Sequence, residues 1–381
     1  MKTRAAILWE PKTDWSVEDI ELDSPKYGEV TVKLAGSGLC HSDEHLVTGD
    51  MVLDPETAEA FGLSQFPIIG GHEGAGEIVE VGPGVTSLAV GDHVVLGFIP
   101  SCGKCPSCSI GQQQLCDLGA FILAGLQLGD FTSRHHSKDG LDLGVMATLG
   151  TFAPYTVVNE DSCIKINQDI PLDKAALVGC GVTTGWGSAT YAANVRSGET
   201  VVVVGIGGIG VNAVQGAAMA GARYVVAVDP VEWKTSKASE FGATHAAASM
   251  EEAQAIVADL TFGAMADKAI LTASVADGAM VSPLLSLVKK SGRAVVTAVA
   301  PMAQSDVKLN LFELAMQRKE LVGCIFGNAN PRNDIPRLLS LYMQGRLMLD
   351  ELVTNTYTLD AVNEGYEDMR NGKNLRGMLI Y

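Results

Sequence analysis

Between residues 175 and 326, short apolar runs alternate with stretches of helical character. This alternation constrains the fold more than any other feature of the chain. The runs fall at residues 201–204, 225–228, 268–271, 294–299 and 321–325. Strands that alternate with helices are the signature of a parallel, doubly wound sheet.

The first run leads into Gly205-Ile206-Gly207-Gly208-Ile209-Gly210, and a helix is expected from there through residue 222. A GxGxxG motif alone is a weak signal. Here it follows a strand, opens a helix and precedes a second strand that ends at Asp229, which makes it a strong one. The glycines permit a tight turn and the close approach of a pyrophosphate, while the helix N-terminus offers unpaired N–H donors. Asp229 stands at the distance expected of a carboxylate that accepts hydrogen bonds from ribose hydroxyls. The same charge repels a 2′-phosphate, which favours NAD over NADP. The plainer reading of Asp229 is a capping or turn residue before Pro230.

Residues 1–165 have a different texture. Short strands, for example 30–34, 76–81 and 92–96, are separated by Gly and Pro turns, and a β-rich domain with little helix is expected. The tail from residue 327 offers helices at 334–344 and 360–370 and a last strand at 377–381. With 381 residues, 47% of them hydrophobic, the chain suffices for about two domains. A net charge of -17 argues against nucleic acid and anionic membranes as partners. The N-terminus lacks the apolar core of a signal peptide, and the most apolar stretch, 201–222, is broken by glycines, Asn212 and Gln215.

Four of the eight cysteines lie in one polar loop, Cys102-x2-Cys105-x2-Cys108-x7-Cys116. Two-residue gaps let a tight turn aim successive sulfurs at one point, as a tetrahedral zinc requires. Disulfides, a redox pair or an iron–sulfur cluster are the competing readings. A site closed by four thiolates holds a loop and does no chemistry. Clustered spacing of this kind fits a reducing cytoplasm better than a secreted disulfide framework.

Cys40, His72 and Cys180 form a looser set, each in glycine-rich surroundings: Gly38-Leu39-Cys40-His41-Ser42-Asp43, Gly70-Gly71-His72-Glu73-Gly74 and Gly179-Cys180-Gly181. Taken singly, each also reads as an ordinary core residue. Two thiolates, one imidazole and an open fourth position would make a catalytic zinc site, but spacing alone does not show that the three meet.

These motifs, in this order and over essentially the whole length, resemble the zinc-dependent alcohol dehydrogenases of the medium-chain dehydrogenase/reductase superfamily. The resemblance extends to the ending Leu375-Arg376. It implies a β-rich, GroES-like catalytic domain (residues 1–180 and 327–381) and a Rossmann coenzyme domain with a doubly wound parallel sheet (residues 181–326), with the substrate cleft between them. It implies a catalytic zinc on Cys40, His72 and Cys180, a structural zinc on Cys102, Cys105, Cys108 and Cys116, and NAD(H) as hydride carrier. Ser42 would take the proton of a small primary alcohol as the aldehyde forms, and His45 would pass it towards solvent. Asp43 would hold the second ring nitrogen of His72, and Glu73 would sit behind the metal as a movable charge or transient ligand. A turn hydroxyl, a surface histidine, a helix cap and a buried structural carboxylate are the plainer readings of these four. His41 and Arg376 would meet the pyrophosphate, Lys234 the adenosine ribose, and Thr184 is a further cofactor contact. His41 departs from relatives with arginine there, which weakens a fixed positive charge. Phe98, Leu149, Ala300 and Ile325 align near the substrate or nicotinamide pocket, and each is equally acceptable as core.

Residues 50–66 are longer than in the animal-type enzymes and fall between two of the motifs. They resemble a bacterial branch, the nicotinoprotein or nitrosoaniline-dependent alcohol dehydrogenases, which hold the cofactor tightly and use an external electron acceptor. Competing readings are a glutathione-dependent formaldehyde dehydrogenase, whose anion-binding pocket has no visible counterpart here, and a non-enzymatic NAD-binding protein of the same fold. The family also implies a homodimer or homotetramer.

Overall fold

Turns cut the first part of the chain into short strands: β1 (Lys2–Leu8), β2 (Ser16–Leu22), β3 (Glu29–Gly38), β4 (Ile68–Ile69), β5 (Gly74–Val81), β6 (His93–Leu96), β7 (His135–Ser137), β8 (Asp142–Val145), β9 (Tyr155–Asn159) and β10 (Cys163–Lys165). The computed structural model describes residues 1–54, 56, 58, 59 and 64–381. By contacts the chain divides into Met1–Cys180 with Asn330–Tyr381, and Gly181–Ala329.

In the first unit β1, β2, β7, β8 and β4 close a barrel. A second sheet runs β10-β6-β5-β3 and continues into two strands of the tail, β18 (Arg376–Ile380) and β17 (Val353–Tyr357). Strand β3 is its centre and is buried along nearly its whole length. Val30, Val32 and Leu34 pack with Ile78, Val94 and Leu96 in one apolar cluster. Register matters more than shape here. Ser37 on β3 pairs with Gly74 on β5, and Gly38 pairs with Met378 on β18. The residues after β3, before β5 and at the head of β18 therefore meet at one end of the sheet.

The second unit is a six-stranded sheet of β11 (Thr200–Val204), β12 (Tyr224–Val228), β13 (His245–Ala247), β14 (Ala266–Leu271), β15 (Val288–Val296) and β16 (Glu320–Gly323), in the order β13-β12-β11-β14-β15-β16. Every pairing is parallel. This is the 3-2-1-4-5-6 order of doubly wound nucleotide-binding folds, whose strand order reverses beside the first strand. Val201, Val202 and Val203 are fully buried, as expected of a strand covered on both faces.

Several element ends differ from the sequence expectation. Strand β15 starts at Val288 and stops at Val296, because the amides of Thr297 and Ala298 both turn onto the Leu271 carbonyl. Strand β16 ends at Gly323, and the helix after the glycine loop ends at Met219, before left-handed Gly221 (φ 86°). Strand β13 was not foreseen; its His-Ala-Ala run is too short and weakly apolar to stand out. Among the described residues, no helix is long and apolar enough to cross a membrane.

Candidate metal centres and nucleotide loop

Strand β3 ends at Gly38, and Cys40 follows in extended backbone as the N-cap of helix α1 (His41–Thr48). His72 and Glu73 precede β5, and Cys180 follows a single 3-10 turn, Leu177–Gly179. The structure brings these four side chains together: their ligand atoms all lie within 4.8 Å of one another, and all four residues are buried. Arg376, at the head of β18, pairs with the Glu73 carboxylate from the same side. Gly38 explains its own identity. A Cβ there would overlap Glu73 Oε2 and lie 2.8 Å from Arg376 Nη2.

Asp43 sets the orientation of His72. Its Oδ1 accepts the Gly71 N–H at 2.7 Å, and its Oδ2 lies 3.0 Å from His72 Nδ1. Both ring nitrogens are buried and neither makes a regular hydrogen bond; Nδ1 has the Asp43 carboxylate beside it, whereas Nε2 has no such partner. An orphaned imidazole nitrogen beside two thiols and a carboxylate fits a divalent zinc, and a carboxylate behind the histidine is the usual support for such a ligand. The four groups also act strongly on one another electrostatically. Burial opposes charge on His72, but Asp43 and Cys40 outweigh it and hold the ring well above its ordinary pKa. The Cys180 thiol and then the His72 ring pull Cys40 well below the ordinary thiol range. Burial raises Glu73 to about 8 against the opposing pull of Arg376. Burial works against charge throughout this dry pocket, and the Arg376 guanidinium and the His72 ring are the cations that face Glu73 and Cys40.

The second cluster is Cys102, Cys105, Cys108 and Cys116, whose sulfurs also lie within 4.8 Å of one another. Sγ–Sγ distances are 4.0 Å for Cys102–Cys108 and 3.9 Å for Cys105–Cys116. Thiolates about 2.3 Å from a tetrahedral zinc stand roughly 3.8 Å apart, whereas a disulfide needs about 2.05 Å. The thiols are free, and backbone amides at Cys105 and Cys108 point at the sulfurs of Cys102 and Cys105, both at 3.4 Å.

In the second unit the loop after β11 opens helix α2 (Gly208–Met219), whose N-cap, Gly207, supplies no side-chain cap. Gly205 is left-handed at φ 94°, and a Cβ on Gly210 would strike the Gly205 carbonyl. Beyond Gly207 there is open space, so bare helix amides face room for a phosphate. Asp229 accepts from the Ile206 amide at 2.8 Å and the Val231 amide at 2.9 Å. It thus braces the loop and the following turn, and its carboxylate oxygens retain further lone pairs. Thr184 is buried with its hydroxyl unpartnered. Lys234 is half-buried on the helix Glu232–Ala238.

The remaining site residues fall on α1. His41 and Ser42 are half-buried at its first turn, and Cys40 Sγ lies 3.7 Å from Ser42 Oγ. His45 is buried, where a surface histidine was the plainer reading. Phe98 stands edge-on to His72 at 6.0 Å between ring centres, whereas Leu149 is fully buried in the core. Ala300 and Ile325 are exposed. Of the extended segment at 50–66, residues 55, 57 and 60–63 lie outside the described residues. Two contacts escaped sequence reasoning: Arg376 on Glu73, 303 residues apart, and Asp50 on His45. The first has no local signal. The second does, since an aspartate just past the glycine that ends a helix faces back towards its last turn.

Models of two families match the chain, "Alcohol dehydrogenase GroES-like domain" over residues 26–168 and "Zinc-binding dehydrogenase" over residues 208–344. Alcohol dehydrogenase B of Mycobacterium tuberculosis is 49% identical over 381 residues, covering 100% of this chain and 99% of its own. The NDMA-dependent alcohol dehydrogenase of Amycolatopsis methanolica is likewise 49% identical, with the same coverage. A crystal structure of an alcohol dehydrogenase zinc-binding domain protein from Burkholderia ambifaria superposes with a TM-score of 0.90 at 29% identity, covering 100% of this chain and 99% of that one. The chain belongs to the zinc-binding alcohol dehydrogenases of the medium-chain family. It is an oxidoreductase with a GroES-like and a Rossmann-type domain, the fold expected from the sequence.

Proposed function

We propose that this enzyme oxidises a small primary alcohol to its aldehyde, and runs the reverse, with zinc in the Cys40–His72–Cys180 pocket and an NAD that stays bound between turnovers. The buried cluster of two thiols, an orphaned imidazole nitrogen and a carboxylate carries the reading. When bound, zinc supplies Lewis acidity to the alcohol oxygen and NAD accepts the hydride.

The chain's own residues do the rest. Cys40, Cys180 and His72 hold the metal, with Glu73 behind them restrained by Arg376. Asp43 keeps His72 Nε2 aimed at the ion. Ser42 takes the hydroxyl proton and His45 receives it in a later transfer. The loop Gly205, Gly207, Gly208, Ile209 and Gly210 receives the pyrophosphate at the α2 N-terminus, and Asp229 the ribose. His41, Thr184, Lys234 and Arg376 add cofactor contacts. Residues 1–180 and 327–381 act as the catalytic domain and 181–326 as the coenzyme domain. Cys102, Cys105, Cys108 and Cys116 hold a structural zinc.

Retention of the cofactor is supported by 49% identity to an NDMA-dependent enzyme across the whole chain. It implies an external electron acceptor. Family resemblance supports a homodimer or homotetramer, and the clustered cysteine spacing supports a cytoplasmic setting. The test is NADH absorbance after mixing zinc-replete protein with a primary alcohol and excess NAD. At most a stoichiometric signal is expected, with turnover appearing once a nitrosoaniline acceptor is added. Steady accumulation of NADH far beyond the enzyme concentration would sink the bound-cofactor reading.

A further inference from the structure

Helix α1 ends at Gly49, which adopts a left-handed conformation at φ 91°, and the next residue, Asp50, folds back on the helix. Asp50 Oδ2 lies 3.2 Å from His45 Nδ1 and accepts from Thr48 Oγ1 at 2.6 Å. The amides of Gly49 and Met51 both donate to the His45 carbonyl at 3.1 Å, which pins the turn. Environment separates the two partners. The His45 side chain is 3% exposed and that of Asp50 28%. The other acids of α1 are engaged elsewhere, Asp43 with His72 and Glu44 with Arg370 at 2.9 Å. The bonds from Thr48 and then His45 hold Asp50 below the usual carboxylate range, so it is ionised at neutral pH.

A buried imidazole that accepts a proton on one nitrogen must present the right tautomer, and it becomes a cation in a poorly solvated place. A carboxylate on the other nitrogen answers both needs. We propose that Asp50 is a positioning residue of the proton relay: it accepts the Nδ1–H of His45, fixes Nε2 as the basic nitrogen, and stabilises the imidazolium formed when the alcohol's proton arrives. The proton lands on Nε2 and Nδ1 keeps its own, so nothing is transferred to Asp50. The inference rests on the relay assigned to Ser42 and His45 above.

The experiment compares wild type with Asp50→Asn, Asp50→Glu, Thr48→Val, Ser42→Ala and His45→Gln, with a primary alcohol and a nitrosoaniline acceptor. Melting curves are taken alongside. Asp50→Asn should lower kcat about 10-fold, a fraction of the ~10²–10⁴ that a positioned acid–base group supplies. KM for the alcohol should stay within about two-fold, since the loss is confined to the proton step. The solvent deuterium isotope effect should grow, Asp50→Glu should restore most of kcat, and Thr48→Val should fall between. Wild-type kcat in Asp50→Asn overturns the proposal. So does a slow Asp50→Glu with the same isotope effect as wild type, which marks a structural loss alone. If Ser42→Ala and His45→Gln keep full turnover, the relay itself fails. If they are slow and Asp50→Asn is not, only the role of Asp50 fails.

Discussion

The two thiol clusters of the first unit use the same residue type for opposite ends. The loop cluster draws four sulfurs from fifteen consecutive residues, 102–116, and two of its members are half-buried. The pocket cluster draws mixed donors from three segments more than thirty residues apart, all buried, with Glu73 and Arg376 packed against them. Four thiolates satisfy zinc and leave no room for a substrate, whereas two thiolates and an imidazole leave a position open. Sequence locality follows function here. A closed site must tie one loop, while an open one must sit where the fold can surround a reacting molecule.

The sharpest way to break this division is Cys40→Ser, which should abolish alcohol turnover while leaving the melting temperature nearly unchanged. Cys105→Ser should do the reverse in kind. It should release the loop metal and lower Tm, with residual activity in whatever fraction stays folded, because binding energy at a structural site is folding energy. An unchanged melting curve in chelator-treated buffer would remove the structural role. Next in size, Asp43→Asn should cost about 10–100-fold in activity or zinc retention, the usual effect of losing a partner behind a metal-bound histidine. Equal kcat and equal zinc content in that variant would show that the contact at 3.0 Å does not orient the ring.

The smallest effect is one of pH. Backbone amides, that of Asp117 first, lower Cys105 to about 7, while burial raises Cys108 and Cys116 above the ordinary thiol value. Cys108 and Cys116 therefore carry protons at neutral pH and release them when zinc binds; below pH 7 Cys105 competes for a proton as well. Zinc retention in the loop should rise with pH, read as competition with a chromophoric chelator at pH 6.5 and 8. A flat profile would contradict the assignment of these thiols as ligands.

Legibility in the sequence tracks the same contrast. The Cys102–Cys116 spacing is local, so the loop cluster could be read before any fold was known. The glycine loop and the valine strand before it are equally local, and the doubly wound class followed from them. Cys40, His72 and Cys180 could be named from their glycine-rich surroundings, but the first two meet through the register of β5 on β3, and Cys180 joins them from a turn packed against the end of β6. Arg376 shows the limit. Its likeness to cofactor-binding positions suggested a pyrophosphate contact, whereas the structure also turns it onto Glu73. Asp229 shows another, since the motif points to ribose and does not reveal that the same carboxylate also accepts two backbone amides. Side-chain pairings of this kind are set by three-dimensional packing, which periodicity does not encode.

The most direct single measurement is alcohol turnover and zinc content, side by side, on wild type and Cys40→Ser prepared identically. The account predicts wild type active with zinc in both clusters, and the variant folded, inactive and retaining only the loop zinc. A Cys40→Ser protein with full zinc and full turnover would contradict it.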